Sequence, residues 1–138
     1  VPEGIVVNDL VDFSDFLPTI ADITNAKLPK VKLDGRSFWP QCKGKQGNPR
    51  KYIFQYYYPK FKTAAEKHGQ GVNGLEIVWA QNQRHKLYRD GTLYALSDRM
   101  EENPIKSGVG TTAEIDRKLL QEAIDLMPKK AAKLNPVK

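Results

Sequence analysis

Cysteine occurs once in this chain, at position 42, and that scarcity closes several routes. A single thiol makes no internal disulfide and no multi-cysteine zinc or iron–sulfur site. Histidine is almost as scarce. His68 and His85 stand too far apart in sequence to suggest a metal pair on one helix or hairpin. No apolar run approaches the ~18–20 residues that cross a bilayer, so no membrane partner is expected. No charged leader, apolar stretch and cleavage site open the chain as a signal peptide would. Phosphate-binding glycine loops, the dinucleotide fingerprint and the G-x-S-x-G elbow are missing as well. The chain starts at Val1 and not at Met, which raises the expectation of a processed or excised piece, its compartment left open.

What is present is an ordinary globular mixture: 138 residues, 40% hydrophobic and 28% charged, with a formal charge of +6. That length suits one domain, residues 1–138, with one sizeable core. The charge is unevenly spread. Residues 1–26 hold five acids (Glu3, Asp9, Asp12, Asp15, Asp22) and no Lys or Arg, whereas residues 27–62 hold ten bases against Asp34 alone. The basic block can attract a polyanion such as nucleic acid or a sulfated glycan. A solvated surface offset by acidic neighbours is the simpler reading.

Apolar spacing at Leu10, Phe13, Leu17 and Ile20, widened by Phe16 and Ile23, predicts a helix over 11–25. Ser14 or Asp15 is its expected cap, with Pro18 near the first turn and Asn25 as its stop. The stretch from Lys43 to Pro49 is turn material. Lys51 to Tyr58 is the strongest strand signal, and Leu75 to Gln81, Arg84 to Arg89 and Thr92 to Leu96 follow as further strands. Asp90-Gly91 marks a hairpin, and the short connections predict an antiparallel meander over 50–97. Thr111 with Glu114 suggests a capping box for a helix over 111–127. Its expected buried stripe is Ile115, Leu119, Ala123 and Met127, flanked by Leu120 and Ile124. Residues 128–138 form a tail. The expected fold is α+β: about four antiparallel strands packed by a C-terminal helix, with an added N-terminal helix.

The chemistry on offer is thin. Lysines beside Cys42 favour its thiolate, but no base or orienting group accompanies it in sequence, so a passive cysteine is the reading taken. Asp9, Asp12 and Asp15 resemble half a calcium loop, yet they lack its glycine and closing glutamate, and acids at a helix start explain them. Tyr56-Tyr57-Tyr58 beside Lys60 and Lys62 suits stacking on bases or sugars, although aromatics on a strand usually pack. No catalytic and no metal-binding residue is assigned.

The order of signals nonetheless resembles the C-terminal part of type I sulfatases, arylsulfatase-like enzymes of the alkaline phosphatase superfamily. Asn8 to Ile20 is similar to the family stretch "v-s-x-x-D-x-x-P-T-l", with Asp15, Pro18 and Thr19 on its anchor positions. Leu33 to Pro40 is similar to "DG-x-S-l-l-P", and Tyr52-Ile53-Phe54 to the aromatic strand that follows. Arg84 to Tyr88 resembles "r-x-K-y/l", Leu93 to Leu96 resembles "e-LYDL" with Ala95 in place of the aspartate, and Glu101-Glu102-Asn103 the tail before the last helix.

The resemblance implies a four-stranded antiparallel subdomain with a packed helix, belonging to a parent that hydrolyses sulfate esters. The parent's formylglycine nucleophile and calcium ion would lie in an N-terminal domain, the implied partner in the same chain, and this piece alone would be inactive. Cys42 is followed by Lys43-Gly44-Lys45, so the C/S-x-P-x-R motif is not here. A sulfated small molecule or glycan is the implied substrate, in a periplasmic or secreted parent. Within the piece, Tyr58, Lys60 and His68 on the glycine-rich Lys60 to Gly74 loop are the candidates for the substrate rim. Two alternatives stand beside this: a free-standing basic module for sulfated glycan or nucleic acid, the latter the less favoured ligand, and a piece of a related phosphoesterase or phosphonate hydrolase. An excised subdomain should also leave an apolar face or strand edge uncovered and form a homo-oligomer.

Overall fold

The computed structural model describes residues 1–57, 77–97, 99, 101–106 and 111–126. It divides the chain into two compact units, Val1–Ile53 and Phe54–Lys138. The architecture is α+β, as the sequence predicts.

In the first unit, a 3-10 turn (Phe13–Asp15) runs directly into helix α1 (Phe16–Thr24). Asp15 holds the position before α1, as expected, but makes no side-chain cap bond there; the capping side chain is Asp12, ahead of the 3-10 turn. Its carboxylate accepts from the Ser14 N–H at 2.9 Å, while its own N–H donates to the Asp15 carboxylate at 2.8 Å. Pro18 then occupies the third helical position, where no intrahelical donor is lost. Asn25 closes the helix in the left-handed region, with φ 56°, and the Ala26 N–H folds back to Ala21 O. The helix buries Pro18, Thr19 and Ala21, its small side, and leaves Phe13, Phe16, Leu17, Ile20 and Ile23 exposed. The apolar stripe marked by the sequence is therefore the outward face.

A one-turn helix, α2 (Trp39–Cys42), follows an extended link. Phe38 at its start meets Phe16 edge-on, with ring centroids 5.6 Å apart. Leu10 and Arg50 then form an isolated antiparallel bridge.

The second unit is built on an antiparallel sheet of five strands in sequential order: β1 (Ile53–Tyr57, whose first residue belongs to the first unit), β2 (Ile77–Gln81), β3 (His85–Tyr88), β4 (Leu93–Leu96) and β5 (Glu102–Pro104). The fifth strand exceeds the four expected. It is short, polar and ends in proline, so nothing in its composition marks a strand; Tyr94 opposite Pro104 and Leu96 opposite Glu102 define it. Asp90-Gly91 makes the predicted hairpin. Gly91 adopts φ 89°, and the Asp90 carboxylate accepts from the Thr92 N–H.

Register places Ala80 opposite Leu87 and Leu87 opposite Leu93, and this face with Val78 is buried. Helix α3 (Thr111–Asp125) packs on β2 and β3. Thr111 is itself helical, not the residue before the helix. The buried side is Ala113, Asp116, Leu120, Ala123 and Ile124, whereas Ile115 is 65% exposed. This rotates the predicted stripe, because Asp116 is drawn inward by charged partners described next. Met127 and the 128–138 tail lie outside the described residues. Among the described residues no helix is long and apolar enough to cross a membrane.

Candidate functional site

The rim candidates Tyr58, Lys60 and His68, with the whole Lys60 to Gly74 loop, lie outside the described residues. Among the described residues, three other constellations gather polar side chains.

The first is centred on Asp15, which is almost fully buried. Arg50 donates to it through Nε at 2.6 Å and through Nη2, and the Arg36 N–H donates at 2.7 Å. The same Nη2 reaches Ser14 Oγ at 3.0 Å and the Asp34 carbonyl at 3.1 Å. Burial alone would raise the Asp15 pKa, but the Arg50 bond and the two backbone N–H donors outweigh it and lower the pKa below 3.8. The Arg50 pKa is raised in turn, chiefly by the same bond. One helical turn on, Thr19 donates to Asp15 O and accepts from the Phe38 N–H at 3.0 Å. Gly35 fits only because it lacks a side chain, since a Cβ there would fall 1.9 Å from Ser14 O. The segments around Asp15-Pro18-Thr19 and Asp34-Gly35, twenty residues apart, are thus locked together. Every lone pair of the carboxylate is directed at protein, so it acts as a strut.

The second lies in the other unit. Asp116 on α3 accepts from Arg84 Nε at 3.0 Å and Nη2 at 2.8 Å, and lies 2.7 Å from His85 Nδ1. The Asn82 side chain also bonds it, while accepting from the Arg84 and His85 N–H groups at the β2–β3 turn. Burial opposes its charge, but Arg84, Asn82 and His85 together lower its pKa to about 2. A buried His–Asp pair resembles part of a catalytic triad. Here, however, the carboxylate is shared with an arginine and an asparagine and pins a helix to a turn.

The third is the sheet face opposite α3. Alternation along β2, β3 and β4 sets Trp79, Lys86, Tyr88 and Tyr94 on that side, and β5 adds Glu102. Lys86 Nζ stands 4.5 Å from the Trp79 ring centroid and 4.8 Å from that of Tyr88, and it pairs with Glu102 at 2.6 Å. The Tyr88 hydroxyl reaches the same carboxylate at 3.0 Å. Burial would lower the Lys86 pKa, yet Glu102 and Tyr88 raise it on balance. The sequence reading looked for an aromatic platform at Tyr56 to Tyr58 and missed this one. Its signal was available: two-residue periodicity carried through the Asp90-Gly91 hairpin brings Lys86 opposite Tyr94, and carried through the short β2–β3 turn it brings Trp79 opposite Tyr88.

Cys42, half-buried at the end of α2, lines an apolar cavity of about 310 Å³ with Ile5, Val7, Val11 and Phe38. Among the described residues no three His, Cys, Asp or Glu side chains are grouped so as to hold a metal ion. No protein-family model matches the chain.

Proposed function

We propose that the chain is the C-terminal part of a sulfatase whose full-length parent hydrolyses sulfate esters, and that it packs against the parent and frames the substrate cleft. The reading rests on the motif order given above. One structural observation supports it: Asp15 and Thr19 of the first motif bond directly to the backbone of Arg36 and Phe38 in the second. Segments that resemble two separate family motifs are thus one interlocked unit, as parts of a shared scaffold would be. In this reading calcium and formylglycine belong to the parent's preceding domain, and Cys42 lacks the sequence that the conversion to formylglycine requires. No bond-breaking step is assigned to this chain.

The test is direct. The encoding gene is read upstream of Val1 for a C/S-x-P-x-R motif, and the longer product and the 138-residue chain are each assayed with a sulfated chromogenic ester. Turnover by the long form alone is expected. Turnover by the short chain, or an upstream sequence without the motif, overturns the reading.

A further inference from the structure

We propose that the chain pairs with a second copy of itself through the outward face of α1, the two helices lying antiparallel. Phe13, Phe16, Leu17, Ile20 and Ile23 recur at helical spacing on one side and are between 47% and 88% exposed. Side chains of this size present on the order of 150–200 Å² each, so the face amounts to roughly 500 Å² of apolar surface, at the upper end for a lone monomer. Two such faces bury about 1,000 Å², the threshold for a specific interface.

The charge pattern selects both the occupant and its direction. Residues 1–26 carry acids and no base, whereas Lys27, Lys30 and Lys32 follow α1 immediately. A parallel pair would set Asp9 and Asp12 beside their own counterparts. Antiparallel pairing sets the Asp9 and Asp12 end of one copy opposite Lys27 and Lys30 of the other, twice over, by two-fold symmetry. Helix dipoles opposed in this way add to the attraction. The proposal needs only residues 9–30 and stands whether or not the sulfatase reading holds.

Sedimentation velocity of the 138-residue chain across roughly three decades of concentration tests it. A monomer–dimer equilibrium is expected. Leu17→Glu with Ile20→Glu, both at exposed positions and so compatible with folding, raises the dissociation constant at least ~100-fold while circular dichroism stays unchanged. Lys27→Glu with Lys30→Glu weakens pairing about tenfold, and Asp9→Lys in that background restores most of it. A wild-type monomer throughout, association indifferent to the Leu17 and Ile20 changes, or charge reversal without rescue would each overturn the proposal.

Discussion

Replacing Asp116 by asparagine probes the strut that fastens α3 to the β2–β3 turn. The folded carboxyl titrates near 2 against an ordinary 3.8. A displacement of that size corresponds to about 2 kcal/mol of stability carried by the ionised form. Because the folded group is the stronger acid, its contribution is complete above pH 3.8 and drains away as pH falls towards 2. The wild type therefore loses about 2 kcal/mol through this residue between pH 5 and pH 2, whereas Asp116→Asn lacks it throughout and has a shallower acid profile. At neutral pH the variant is expected to cost about 2–3 kcal/mol, since His85 and Asn82 lose a charged acceptor. Arg84→Ala should cost clearly less than Asp116→Asn, because that side chain is 62% exposed and water replaces the partner. Each unit contains one tryptophan, Trp39 or Trp79, so urea unfolding in a Trp39→Phe background reports the second unit alone. Parallel acid profiles for wild type and Asp116→Asn, or an Arg84→Ala cost equal to that of Asp116→Asn, would refute the reasoning.

Arg50→Ala strands a buried Asp15 carboxylate and is expected to destabilise the first unit by about 3–5 kcal/mol, read by Trp39 emission during urea unfolding. Arg50→Lys keeps the charge but not the two-pronged donor, so it should recover only part of that loss. Gly35→Ala forces a methyl against Ser14 O and should cost more than ~2 kcal/mol, with loss of α1 signal in circular dichroism. Gly91→Ala meets no neighbour and carries only the strain of φ 89°, so a cost of about 1 kcal/mol in thermal unfolding is expected.

Local chemistry made several elements legible in advance. Asp90-Gly91 specified its hairpin because a positive φ is cheap there, and Asn25 closed α1 for the same reason. Strand alternation in β2 to β4 was equally plain. What escaped was anything decided by a distant partner. Ile115 faces outward because Asp116 is claimed by Arg84 and His85, residues thirty positions earlier that periodicity does not see. Glu102 pairs through Lys86 and Tyr88, not through its own β propensity, so β5 lay outside the strands the sequence predicts. In α1 the period was legible but the packed side was not: Thr19 and Asp15 bond inward, and the hydrophobic stripe is left outward. For the rim, Tyr58, Lys60 and His68 remain a proposal of the sequence, while the Trp79–Lys86–Tyr88 face was reachable by carrying register across a predicted turn.

The Asp15 carboxylate also orders events in time. Its side-chain donor lies 35 positions downstream and a backbone donor 21 downstream, so neither exists when α1 first leaves the ribosome. A nascent helix of nine residues, too short to hold itself in water, must wait for Arg50 before it can set. Until that guanidinium arrives, the stretch around α1 travels unanchored, an interval in which a chaperone or a neighbouring nascent chain has the first opportunity to seize it.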